Sequence, residues 1–178
     1  METTDFQSLF FQHYALVYRV LFRVVGNKED AQDLALEAFW KLWQQSPAQL
    51  ENPAGWLFRV ATRLGYNALR AAKRRERYEL ETARQALESG QDPDRAVERA
   101  DERRRVRGVL ERMTERDAQL LVLRYSGLAY KEIAAALDIS PNSVGTLLAR
   151  AEEAFEKLYS DDSHSEGRSE GGPHASRR

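Results

Sequence analysis

The sequence has 178 residues, of which 42% are hydrophobic and 31% are charged, and its formal net charge is −1. A chain of this length fits one domain or two small ones, and its near-neutral charge means that any nucleic-acid contact must come from local patches. The absence of cysteine excludes disulfides, cysteine-ligated zinc and thiol catalysis, and no apolar run approaches the ~20 residues of a membrane span. These features predict a cytoplasmic protein with no membrane contact.

Apolar residues recur with helical spacing along the chain, and strand signals are absent. The first helix is predicted to end at Gly26, and Asn27 is a suitable N-cap for the second. In this second helix, Phe39 is expected in the core. The opposite face is acidic and carries Glu29, Asp30, Asp33 and Glu37.

A third helix is predicted from about Pro53, capped by Asn52, to beyond Arg75. Arginines at steps of four, seven and four share one face of it, and residues 56–75 contain no acidic side chain. A solvated charged face is the ordinary explanation for charges on a helix. Because a run of one sign repels itself, and aromatic residues are interleaved with it, a polyanionic partner is favoured here. The face consists of Arg59, Arg63, Arg70 and Arg74, with Lys73 and Arg75 beside it.

Residues 129–157 have the pattern of a helix-turn-helix, with a first helix at Tyr130–Leu137, a turn at 138–140 and Pro141 at the start of the second helix. The second helix combines a buried stripe with a polar face whose side chains can hydrogen-bond bases or phosphates. An ordinary helical hairpin in an all-helical core is the alternative. The polar face consists of Asn142, Ser143, Thr146 and Arg150.

The predicted fold class is therefore all-α, with two small helical domains joined by a linker, the C-terminal one a helix-turn-helix. The first domain covers residues 1–77, the linker 78–93 and the second domain 94–159. Residues 160–178 are predicted to form a disordered tail by composition. Within the second domain, Thr114 and Asp117 form a capping pair for the helix that reaches Tyr125.

Three collinear segments resemble one family. DAQDLALEAFWKLW at 30–43, PAGWLFRVATRLGYNALRAAKRR at 53–75 and the helix-turn-helix region at 110–155 resemble the extracytoplasmic-function (ECF) sigma factors of bacterial RNA polymerase, in the sigma-70 class. The resemblance implies a promoter-specificity subunit that directs core polymerase and starts DNA melting. Its first domain would bind the polymerase clamp and open the −10 element, and its second would read the −35 element.

The resemblance also implies partners and site residues. The partners are bacterial core RNA polymerase and promoter DNA, with an anti-sigma factor as a further candidate. The loop from Ser46 to Asn52 lies where the family holds a flipped base. The polymerase-binding residues would be Asp30, Asp33, Leu34, Glu37 and Trp43; the DNA-binding residues would be Arg59, Arg63, Asn67, Arg70, Lys73, Arg74, Arg75, Lys131, Asn142, Ser143, Thr146 and Arg150.

The chain departs from the family at the recognition helix, where the usual cations are replaced by Gly145, Leu147 and Glu152. Two alternatives stay open at this point: a stand-alone helix-turn-helix regulator and a helical adaptor that does not bind DNA. An enzyme is not expected, because the three histidines are scattered and no glycine-rich loop could hold a phosphate. We accordingly expect no catalytic residue, cofactor or metal.

Overall fold

The structure, a computed structural model, describes residues 3–45, 50–84 and 96–166. Within these ranges the chain forms seven helices and no strand, as the sequence predicts. The helices are α1 (Thr3–Val25), α2 (Lys28–Gln44), α3 (Pro53–Arg84), α4 (Ala96–Arg112), α5 (Glu115–Tyr125), α6 (Tyr130–Leu137) and α7 (Pro141–Glu166).

Local hydrogen bonds set several helix ends, and these ends confirm the predicted caps. Asn27 Oδ1 accepts from the backbone N–H of Glu29 at 2.8 Å, and Asn52 Oδ1 accepts from that of Gly55 at 2.8 Å. Thr114 Oγ1 accepts from the N–H of Asp117 at 3.2 Å. Each bond satisfies a donor that the first turn of a helix would otherwise leave unpaired.

Two helical groups form around buried apolar side chains. Helices α1, α2 and α3 pack around residues that include Leu21, Phe39 and Phe58, while α5, α6 and α7 pack around residues that include Ile133 and Leu148. Phe39 is 2% exposed, which confirms its predicted place in the core. Each fully buried side chain of this size contributes about 1.5–3 kcal/mol to folding.

The two groups also contact each other directly. Helix α3 packs on α6, and α1 packs on α5. Arg19 donates to the carbonyl of Ser126 at 3.2 Å, and the hydroxyl of Tyr66 donates to the carbonyl of Leu110 at 3.2 Å. Burial raises the pKa of Tyr66 well above its ordinary value, so its hydroxyl remains a neutral donor.

Helix α3 runs past Arg75 as predicted, and α7 runs further than predicted. Helix α3 continues to Arg84, through the first part of the predicted linker, and α7 continues to Glu166, so the prediction of a disordered tail was wrong for residues 160–166. Extending an existing helix adds about one hydrogen bond per residue without a new nucleation cost. Arg112 and Arg105 of α4 also donate to the carbonyls of Leu158 and Tyr159 in α7, respectively. The rest of the predicted linker and tail, 85–93 and 167–178, lies outside the described residues.

Candidate nucleic-acid and partner interfaces

The exposed face of α3 brings together four of the predicted DNA-binding residues. Arg63, Asn67, Arg70 and Arg74 are all exposed. At 100° per residue they fall within a narrow sector of the helix. Opposite them, the buried side chains of Leu57, Ala61 and others fix the rotation of the helix. The result is a cationic stripe with one amide, suited to the phosphates and base edges of a nucleic acid.

Three other predicted residues of α3 do not join this stripe. Arg59 donates from Nε to the carbonyl of Ala136 at 2.9 Å and from an Nη to the carbonyl of Ala135 at 3.3 Å. Lys73 forms a 2.8 Å ion pair with Glu111 of α4. Arg75 is exposed but follows Arg74 by one residue, so it points about 100° away.

Thr62 and Arg63 are neighbours in the sequence but occupy different faces of α3. Thr62 is fully buried, and its hydroxyl donates within the helix to the carbonyls of Phe58 and Arg59, both at 3.0 Å. Its neighbour Arg63 takes the exposed position. A nucleic acid lying along this face would therefore meet Arg63 and not the threonine.

On α7 the structure places the predicted polar residues as the pattern indicates. Asn142, Ser143, Thr146 and Arg150 are exposed. Val144, Leu148 and Ala151 are buried and hold the helix against α5 and α6. Lys131, in the first turn of α6, is also exposed.

Two residues beside the recognition helix were missed by sequence reasoning. The guanidinium of Arg124 lies 5.4 Å from the ring centroid of Tyr130, and both side chains are exposed. A Cβ added at Gly145 would meet the same ring at 3.7 Å. Arg124 thus adds a cation next to α7. The helical periodicity of the sequence does not predict this, because Arg124 lies on α5 whereas its neighbours lie on α6 and α7.

Helix α2 presents acidic and apolar residues together. Asp30, Asp33 and Glu37 are exposed as predicted, and Glu37 also pairs with Lys41 at 3.4 Å. The two apolar residues predicted to contact polymerase, Leu34 and Trp43, differ in exposure. Leu34 is half-buried, and Trp43, 38% exposed, stacks edge-on with Phe6 at 5.0 Å between ring centroids.

The most exposed apolar side chains of α2 are Trp40 and Leu36, at 59% and 50%. They are four residues apart and therefore adjacent on the helix surface, beside Asp33 and Glu37. Sequence reasoning missed both. An exposed tryptophan with carboxylates beside it is typical of a protein-binding surface with a basic partner. We call Asp33, Leu36, Glu37 and Trp40 the α2 patch.

Within the described parts of the chain, no three histidine, aspartate or glutamate side chains converge as metal ligands would. None of the helices in these same parts is both long and apolar enough to cross a membrane.

Comparison with known proteins assigns a family to each of the two helical groups. Residues 9–75 match the family described as Sigma-70 region 2, and residues 103–155 match Sigma-70, region 4. The RNA polymerase sigma-H factor of Pseudomonas aeruginosa is 30% identical over 168 residues, which span 86% of this chain and 84% of that protein. The ECF RNA polymerase sigma factor SigK of Mycobacterium ulcerans is also 30% identical, over 86% and 84% of the two chains.

Two further matches cover different shares of the matched protein. The ECF RNA polymerase sigma factor SigJ of Mycobacterium tuberculosis is 31% identical over 86% of this chain, but the match spans only 50% of SigJ. In fold, the chain is similar to CnrH as solved in complex with the cytosolic domain of CnrY, with a TM-score of 0.58 and 19% identity over 90% and 91% of the chains. Fold and sequence together define a protein of the sigma-70 class. The chain belongs to the ECF family of RNA polymerase sigma factors.

Proposed function

We propose that this chain directs core RNA polymerase to promoters through three surfaces. The α2 patch binds core polymerase, the cationic stripe of α3 holds DNA at the −10 element during melting, and the polar face of α7 reads the −35 element. The observation that carries the proposal is the α3 stripe, whose exposed cations lie in a segment, residues 56–75, without any acidic residue. Such a face is stabilised by a polyanion that neutralises it.

The proposed role requires no catalytic residue, metal or cofactor, and it places the chain in the cytoplasm with its polymerase. An anti-sigma factor is a further proposed partner. The function as a whole is tested by run-off transcription with purified core polymerase and genomic fragments. We expect discrete transcripts only when this protein is added, and none when core polymerase acts alone. Equal transcription with and without the protein would favour a stand-alone regulator or an adaptor.

The α2 patch can be tested separately, because the helix carries a matched pair of tryptophans. Interface hot spots are typically aromatic residues whose truncation costs at least ~2 kcal/mol, a loss in affinity of about 30-fold. Trp40→Ala should approach this loss in titrations with core polymerase. Trp43→Ala, whose ring packs on Phe6, should instead lower the thermal midpoint. Equal effects of both substitutions on polymerase affinity would contradict the placement of the contact at Trp40.

A further inference from the structure

A cavity lies where α1, α4, α5 and α7 meet. Its volume is about 760 Å³, which falls within the roughly 300–1,000 Å³ of sites that hold small molecules. Part of its wall is apolar and consists of Phe22, Val106, Leu110, Leu121, Val122 and Phe155. The two leucines and Val122 are buried, whereas the two phenylalanines are half-buried. An apolar molecule that entered the cavity would therefore exchange water for aromatic and aliphatic contacts.

The rest of the cavity is lined mainly by charged side chains. Arginines lie one turn apart on α1, at 19 and 23, and one turn apart on α4, at 103 and 107. The carboxylates are Glu102, Glu152 and Glu156. Four arginines against three glutamates leave one positive charge without compensation. A ligand with one acidic group would balance it.

Arg107 is the cation whose surroundings most favour an anion. Its guanidinium lies against Gly26 at the end of α1, where an added Cβ would overlap it. Burial lowers the pKa of Arg107 below its ordinary value, and the charges of Arg104 and Arg103 lower it further. Among the described residues it has no hydrogen-bond or ion-pair partner. A half-buried cation beside like charges is stabilised when an anion binds to it.

Other polar groups of the cavity already have partners. Arg19 donates to the carbonyl of Ser126 at 3.2 Å, and Glu152 accepts from the hydroxyl of Tyr125 at 3.3 Å. These contacts fix the two side chains in the wall. Arg107 is therefore the group to which we assign the contact with an acidic ligand.

We propose that this cavity binds a small amphipathic anion, with one acidic head group and an apolar body. The head group binds the guanidinium of Arg107, which suits a carboxylate or a phosphate because its N–H groups donate in a planar fork. The apolar body packs on Phe22 and Phe155. None of the lining residues belongs to the three surfaces of the proposed function, so the site stands or fails independently of it.

Two fluorescent probes test the head group. Anilinonaphthalene sulfonate has an aromatic body and one anionic group, and phenylnaphthylamine has the same rings without the sulfonate. We expect the sulfonate probe to bind the full chain saturably at one site. Arg107→Gln should weaken its binding about tenfold or more, the usual loss for a hydrogen bond to a charged group. The same substitution should leave the affinity for the neutral probe near wild type.

Arg104→Gln is the matched control. Arg104 is exposed on the same helix and does not line the cavity, so the substitution makes the same change in net charge without removing the contact. It should lower the affinity for the sulfonate probe much less than Arg107→Gln does. Equal losses in the two variants would show a general effect of charge and would overturn the site at Arg107.

A second variant tests the cavity itself. Val106→Trp adds bulk to a half-buried wall residue and should abolish binding of both probes, while thermal unfolding shows whether the chain still folds. Undiminished binding of the sulfonate probe to a folded Val106→Trp chain would place that probe elsewhere, for example on the α2 patch, and would contradict the proposal. If this variant does not fold, the comparison of Arg107→Gln with Arg104→Gln still decides.

Displacement of the sulfonate probe identifies the class of ligand. Dodecanoate and dodecyl phosphate, below the concentrations at which they form micelles, should both displace it, and the stronger of the two shows which acidic group the site prefers. Dodecanol and dodecyltrimethylammonium have the same chain with a neutral or a cationic head, and they should displace it at least about tenfold less well. Equal displacement by all four compounds, or no saturable binding of the probe, would overturn the proposal.

Discussion

The two helices that we propose to contact DNA, α3 and α7, differ sharply in charge. The stripe of α3 is cationic, with no acid between residues 56 and 75, whereas residues 130–159 contain five acids and three bases. On α7 the exposed face offers Asn142, Ser143 and Thr146 around a single arginine, Arg150. Nonspecific affinity comes mainly from releasing counterions with cations, while amides and hydroxyls select bases. The comparison suggests that α3 supplies the strength of DNA binding and α7 the choice of sequence.

The largest expected effect comes from removing cations from the α3 stripe. Replacing Arg63 and Arg70 together with alanine removes two charge-assisted contacts of about 1.5–3 kcal/mol each in favourable geometry. Open-complex formation should fall about 100-fold or more on every promoter. The slope of log affinity against log salt should flatten by about 1.4–1.8.

Arg75→Ala is the control for that experiment, because Arg75 points about 100° away from the stripe. It should change the salt slope much less than Arg63→Ala does. If the double variant keeps the wild-type slope, the stripe is only a solvated face, and the contrast with α7 disappears.

A smaller effect is expected from adding a cation to the exposed face of α7. Thr146→Arg places a cation on its exposed face and should steepen the salt slope by about 0.9, with affinity for any duplex rising several-fold at low salt. The measurement is fluorescence anisotropy of the full chain on a labelled upstream duplex. Gln32→Arg, on α2, controls for the change in net charge. Tight, sequence-specific binding by wild type without polymerase would contradict the weakness that we assign to α7.

Much of the contrast between α3 and α7 can be predicted from the sequence, because it depends on residues that are close together in the chain. Caps such as Asn27 and Thr114 act within three residues, and a period of 100° per residue sorts the exposed face of α3 from its buried face. The family resemblance then supplies the role of each helix.

The remaining features depend on contacts between distant segments. The carbonyls that bind Arg59 are 76 and 77 residues away, so no local pattern separates Arg59 from Arg63. The difference between Trp40 and Trp43 depends on Phe6 of α1, which stacks on Trp43 and leaves it 38% exposed, against 59% for Trp40. Arg124 joins the α7 surface only because the turns between α5, α6 and α7 bring Tyr130 under it.

Gly145 allows a finer test of why α7 carries a glycine. A Cβ there would meet the Tyr130 ring at 3.7 Å, an ordinary contact. Gly145→Ala should therefore raise the free energy of unfolding by about 0.5–1 kcal/mol, as helix propensity dictates. Denaturant titration measures the change, with Gly108→Ala as the matched variant. If stability rises and upstream binding is unchanged, close approach to DNA does not require the glycine. A loss of stability would show that Tyr130 packs too tightly to accept the methyl group.

The smallest expected effect is a pH dependence at the boundary between the two regions. Burial lowers the pKa of His13 below its ordinary value of 6.5, and the charge of Glu132 in α6 partly opposes this shift. Because the unfolded chain binds this proton more readily, the contribution of neutral His13 to stability is complete above about pH 6.5. It is lost as the pH falls from there through the lowered pKa. Urea midpoints at pH 7.5 and 5.5 should therefore differ more for wild type than for His13→Gln. Glu132→Gln should enlarge the wild-type difference, since it removes the charge that stabilises protonated His13; a reduced difference would mean that the two side chains do not interact across the domain boundary.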